Sequence, residues 1–204
     1  MKRFGPTFAL LALGFVACVG QPERAEDSDL SKPGPDIVSA QEWKSSPQPI
    51  PEARKHVPVR ITIHHAGVLW AEGSDPYTKI LALQTWGKRD KQWPDVPYHY
   101  LIAPDGRIFE GRDWHYEGET NTEYDTRGHL LVQLWGDFDK QKVTEEQLDS
   151  AVRLVAWLCA EHGISPSTIR GHKDWSTQTS CPGTDLYGYL ENGEFVTRVQ
   201  QVQR

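Results

Sequence analysis

Cysteine is scarce in this chain, with three among 204 residues, at positions 18, 159 and 181. An odd count cannot close into a disulfide framework, so each thiol needs its own explanation. Methionine is scarcer still, Met1 being the single one. Basic charge is also short. Lys and Arg number 22 against 28 Asp and Glu, a formal charge of −6 that excludes the electrostatic footprint of a nucleic-acid binder. What the chain does contain is 38% apolar and 25% charged residues, the balance of an ordinary globular protein rather than a disordered or fibrous one. Eight tryptophans and eight histidines are the surplus. One domain with an appendage is expected at this length.

The appendage is N-terminal. Lys2 and Arg3 precede an apolar run ending at Ala17, too short to cross a bilayer comfortably, which is the pattern of a secretory signal peptide over residues 1–17. Phe15-Val16-Ala17-Cys18 resembles a bacterial lipobox, with Phe15 in the usual leucine position. That resemblance implies cleavage before Cys18 and a diacylglyceryl group on its sulfur; the alternative is ordinary cleavage that leaves Cys18 as an unmodified thiol. Both place the mature chain outside the cytoplasm, and lipidation would anchor it in the periplasm or cell envelope, on a bacterial outer membrane. Losing Lys2 and Arg3 takes the 22 basic side chains to 20 and the formal charge from −6 to −8. Residues 18–36, rich in Glu, Asp, Ser and Pro, offer too little apolar surface to offset their ordering entropy and are expected to form a disordered acidic tether.

Residues 37–204 carry the folded domain. Val59–His65 alternates β-branched and polar residues, predicting a strand with one buried face. Asp75 and Pro76 sit at N-cap and first-turn positions of a helix running to about Lys88, with Ile80, Leu83 and Trp86 at helical spacing. Asp105-Gly106 turns a hairpin between strands at 98–103 and 107–110. Leu130–Trp135 reads as a further strand. Thr144-Glu145-Glu146-Gln147 is a capping box opening a helix that stops at Gly163, with Leu148, Val152, Val155, Leu158 and Cys159 along one face. Cys159 is therefore expected to be a buried small hydrophobe. A short strand at 167–171 and a helical turn at 186–190 complete a single-domain α/β fold with a central mixed β-sheet flanked by helices.

Ile63-His64-His65, Gly171-His172 and Cys181-Pro182-Gly183 place imidazole and thiol groups near strand ends. A catalytic zinc site needs three protein ligands and one open position, and two histidines with one cysteine meet that count. With eight histidines available, the count alone is weak, and Cys181 could equally be a turn residue or pair with Cys159.

The surrounding residues resemble the zinc-dependent N-acetylmuramoyl-L-alanine amidase (type 2 amidase) and peptidoglycan recognition protein family. The likeness starts at Ile37-Val38-Ser39-Ala40-Gln41-Glu42-Trp43 and continues through Ile63-His64-His65-Ala66, Trp93-Pro94-Asp95-Val96-Pro97-Tyr98-His99-Tyr100, Asp105–Arg112, Gly171-His172-Lys173-Asp174 and Cys181-Pro182-Gly183, in the family's order. It implies that fold, one zinc ion held by His64, His172 and Cys181, and a catalytic role for Tyr98, whose phenol would lie near the metal-bound water. The implied activity is hydrolysis of the amide between N-acetylmuramic acid and L-alanine, on peptidoglycan or muropeptides, by a monomer. The alternative is a peptidoglycan-binding module without catalysis, which would need no metal.

Two departures stand out. Eight residues separate His172 from Cys181, one more than the resemblance leads one to expect; counted back from Cys181, Thr179 falls where the family carries a Lys or Thr that assists near the substrate carbonyl. The segment from Tyr116 to His129 also lacks the family's usual Gly-Ala-His stretch and is expected to line the groove. His115 and His129 are expected there or on the surface, not as ligands. Trp70 and Trp93 are candidates for stacking against substrate, with core packing as the alternative; alternation assigns His65 and His99 to packing or solvent, and His65 is retained as a candidate substrate contact should its strand end at the site.

Overall fold

The computed structural model describes Met1 and residues 34–204. Apart from Met1, the signal peptide of residues 1–17, Cys18 and the tether up to residue 33 lie outside the described residues. One compact unit spans Pro33–Arg204. Its first residues belong to the domain rather than to the tether. Gly34 backs onto the Trp157 ring so closely that a Cβ there would come within 3.0 Å of the indole nitrogen.

Among the described residues, six strands form one mixed sheet: β1 (Ile37–Val38), β2 (Arg60–His65), β3 (Tyr100–Ile102), β4 (Ile108–Glu110), β5 (His129–Leu134) and β6 (Arg170–Gly171), in the order β1-β4-β3-β5-β2-β6. The β3–β4 hairpin is the antiparallel pair, as Asp105-Gly106 predicts; the remaining neighbours run parallel. Among the described residues, four α-helices accompany the sheet: α1 (Pro76–Asp90), α2 (Glu145–His162), α3 (Thr184–Glu191) and α4 (Glu194–Val202). Among the described residues, no helix is long and apolar enough to cross a membrane.

Strand alternation sorts side chains onto two faces. Ile61 and Ile63 of β2 with Leu130, Val132 and Leu134 of β5 pack against Leu148, Val152 and Val155 of α2, and Phe195 and Val199 of α4 join them. The predicted α2 face is the buried one, Cys159 included. The Asp75 and Thr144 caps form as well, each accepting the N3 backbone N–H, from Thr78 and Gln147. The capping box is used differently from the expectation. Gln147 sends its side-chain amide to the carbonyls of Ile102 and Trp135, tying α2 to the sheet.

On the opposite face, Ile80 of α1 packs with Trp43, Leu101, Phe109 and Trp135. α1 therefore covers the β3–β4 half and leaves the β2–β5 half of that face to loops. This corrects the half-buried reading of β2. Thr62 and His64, its polar members, are buried at 0% and 2% exposure because the second face is roofed by the functional loops. Two further differences are local. Pro166–Thr168 is a 3-10 turn, so the strand expected at 167–171 starts only at Arg170, and α4 is a helix that the sequence reading does not contain.

Candidate metal centre

β2 and β6 are parallel neighbours with Ile63 opposite Gly171, so the next residue on each, His64 and His172, emerges at the same sheet end. Their rings lie 4.6 Å apart. Cys181 reaches the same point from a loop clamped to the His172 turn by a hydrogen bond from Lys173 N to Cys181 O at 2.8 Å. That clamp absorbs the longer spacing between the two residues. Donor atoms of His64, His172 and Cys181 all lie within 4.8 Å of one another, and all three residues are buried. Cys159 and Cys181 are both free thiols, which removes the disulfide alternative.

The donor chemistry suits a divalent ion of the zinc type. His64 Nδ1 and Cys181 Sγ are 3.6 Å apart. Zn–N and Zn–S bonds of about 2.05 and 2.3 Å at a tetrahedral angle span roughly 3.6 Å between ligand atoms. Burial pushes the pKa of His64 well down, with His172 adding to it, and brings that of His172 to about 4, so both imidazoles are neutral and able to ligate near pH 7. The Cys181 thiol is pushed up to about 12, chiefly by burial, so a cation is what would stabilise its thiolate. Sγ already accepts the His65 backbone N–H at 3.3 Å.

Around this cluster stand residues that the sequence reading did not single out. The Thr122 hydroxyl lies 2.8 Å from His172 Nε2, and the Tyr124 hydroxyl 3.4 Å from His64 Nε2. At His64, Nε2 is the ring nitrogen not directed at Cys181, and a hydrogen bond to the second nitrogen is the arrangement that orients ligating histidines. Both hydroxyls come from the 116–129 segment, where the chain departs from its relatives' pattern, so no motif could flag them. His129 also belongs to this floor: its Nδ1 is 2.8 Å from Thr62 Oγ1, and burial lowers its pKa to about 4.

Tyr98 is half-buried, its ring 5.1 Å from that of His64, and burial, with Cys181 nearby, holds its phenol protonated well above the usual range. Thr179 Oγ1 accepts the Cys181 N–H at 3.0 Å, which makes it a positioning group for the cysteine. Trp70, Trp93 and Tyr98 line one cleft of about 260 Å³ together with Trp86, Trp135 and Gln133. Trp86 is 37% exposed and meets Trp93 edge-on at 5.5 Å, so it borders this cleft instead of joining the core stripe predicted for α1. His65 is elsewhere. Alternation turns its ring to the α2 face, where it packs on Phe138 at 6.2 Å and accepts the Phe138 N–H, which corrects its place among groove residues. His115 is exposed, stacked on Trp114 and bonded to Asp113.

This chain is 27% identical over 166 residues to peptidoglycan recognition protein 1 of Mus musculus, covering 78% of this chain and 87% of that protein. Among solved structures, Drosophila peptidoglycan recognition protein SD superposes with a TM-score of 0.68 at 26% identity, over 76% of this chain and 93% of the other. The endolysin N-acetylmuramoyl-L-alanine amidase LysCS of Clostridium intestinale shares the fold at a TM-score of 0.61 and 23% identity, over 79% and 96% of the two chains. The profile of the Amidase_2 family, N-acetylmuramoyl-L-alanine amidase, matches residues 54–184, a stretch that takes in every strand from β2 to β6 and all three donor residues. The chain is a member of that family.

Proposed function

We propose that this protein is a zinc-dependent N-acetylmuramoyl-L-alanine amidase that cleaves the bond between the lactyl group of N-acetylmuramic acid and L-alanine in peptidoglycan or its fragments. The observation that carries the reading is the convergence of His64, His172 and Cys181 at one sheet end, beside a tryptophan-lined cleft. Three protein donors leave a fourth tetrahedral position open. A zinc ion held by His64, His172 and Cys181 would supply Lewis acidity to a carbonyl and an activated water near neutral pH. Tyr98, a protonated phenol at neutral pH, donates to the carbonyl oxygen as negative charge builds on it. Thr179 accepts the Cys181 backbone N–H and so positions the cysteine, and its hydroxyl is the second donor this reading assigns to the same carbonyl. Trp70 and Trp93 supply apolar walls for the sugar or the stem peptide.

Recognition without hydrolysis is the second reading, favoured by the names of relatives such as the mouse recognition protein. A buried His-His-Cys cluster, which a pure binder does not require, favours hydrolysis. The signal-peptide pattern and Cys18 support an exported enzyme tethered by lipid to a bacterial outer membrane. Purified sacculi incubated with the protein, with and without a zinc chelator, test the activity. The expected outcome is stem peptides beginning with L-alanine, identified by mass and abolished by chelation. Sacculi that are bound while no peptide is released would leave recognition as the function.

A further inference from the structure

Gln133 sits on β5 in register with His64 of β2 and with Leu101 of β3. It is thus one strand, about 4.8 Å, from the donor cluster. The residue is 1% exposed and lines the tryptophan cleft. Its amide is half satisfied. Nε2 donates to Leu134 O at 3.0 Å, whereas Oε1 has no hydrogen-bond donor among the described residues. Exchanging the two atoms would set oxygen against the Leu134 carbonyl, acceptor against acceptor, so the lone acceptor is fixed in place. An unmatched buried carbonyl is a standing cost that an apolar residue of similar size would avoid. Leu134 O does not need the Gln133 amide, because it also accepts the Ala66 N–H at 3.0 Å. The fold therefore gains little from this glutamine, a residue that lines the cleft.

We propose that Gln133 is a substrate-binding residue whose Oε1 accepts an amide N–H of a muramoyl peptide held in the cleft. The walls select the group. Trp70, Trp93 and Trp135 make the cleft largely apolar, which suits an N–H flanked by a methyl group, as in an acetamido substituent or an alanyl unit. The inference rests on the peptidoglycan reading above.

Its test is equilibrium binding followed by tryptophan fluorescence on the Tyr98→Phe background, which slows turnover. The probes are an N-acetylmuramoyl tripeptide, its de-N-acetylated counterpart and the tripeptide alone. Gln133→Leu, or Gln133→Met should the first fail to fold, is expected to weaken binding of the muramoyl tripeptide about tenfold, the scale of one lost hydrogen bond. The melting temperature is expected to hold or rise, since a buried unmatched acceptor has been removed. A structural role would lower melting temperature and affinity together. A difference that vanishes with the de-N-acetylated probe assigns the sugar's acetamido N–H; one that persists with the tripeptide alone assigns a peptide N–H. Equal affinity of variant and parent would overturn the proposal, as would a loss of affinity that tracks melting temperature or the failure of both variants to fold. If the parent binds none of the three probes, the peptidoglycan reading itself falls.

Discussion

His64 Nδ1 and Cys181 Sγ lie 3.6 Å apart although 117 residues separate them along the chain. Nothing in an apolar core requires an imidazole and a thiol to meet at this distance, and a second imidazole, that of His172, completes the group. The spacing fits adjacent corners of a zinc tetrahedron.

Replacing one corner tests it. Cys181→Ser is expected to retain no zinc after dialysis against a weak chelator, where the parent is expected to retain one ion per chain by elemental analysis. Alkylation offers a second measurement: Cys181 should resist a thiol reagent only while metal is bound. Zinc retained by Cys181→Ser at the parental level would remove this residue from the site.

Tyr98→Phe keeps the ring that packs near His64 and removes only the hydroxyl. If the phenol stabilises charge in the transition state, kcat on purified peptidoglycan should fall about 10²- to 10³-fold with KM little changed. Unchanged turnover would assign the hydroxyl no catalytic part and leave the donor cluster untouched.

The legible and illegible parts of the site divide by how local their causes are. His64 and Cys181 stand in short motifs, and the two helix caps and the Asp105-Gly106 turn depend on residues a few positions apart, so sequence alone reaches them. The face that each side chain takes depends on which strands flank it. β2 reads as a strand with one wet side, yet it lies between β5 and β6 with Thr62 and His64 buried. His65 is the legible counterpart, because alternation along one strand is local. Its adjacency to His64 in sequence is what sends it to the opposite face. Thr122, Tyr124 and Gln133 take their roles from contacts across 50 or more residues or from a missing contact, and neither leaves a local pattern.

Thr122 is expected to act through His172. Its hydroxyl, 2.8 Å from Nε2, holds the ring's angle. Thr122→Val preserves shape and removes the bond, and loss of such an outer partner typically costs 10- to 100-fold in metal affinity or activity. Competition against a zinc-sensitive dye would measure the affinity. A parental zinc affinity in Thr122→Val would show that the ring is held by packing alone.

Acid should weaken the fold through His99. This residue is fully buried, with Nδ1 accepting the Leu131 N–H at 2.8 Å and Nε2 3.0 Å from Tyr116 O. Because Nδ1 already accepts, Nε2 carries the proton, and a second proton at Nδ1 would face the Leu131 N–H. Burial, reinforced by His56 and Arg112, lowers the pKa from 6.5 to about 3. The unfolded chain therefore takes up the proton first as pH falls. The stability from neutral His99 is fully present above pH 6.5 and is lost progressively from there toward about pH 3. At about pH 4.5 the loss is on the order of 2–3 kcal/mol. His99→Asn cannot titrate, so although it starts from a lower stability, its urea midpoint should fall less than the parent's between about pH 7 and pH 4.5. Comparing the two at each pH cancels the titration of the other histidines. An identical acid dependence in parent and variant would mean that His99 accepts its second proton as readily in the folded chain as in the unfolded one.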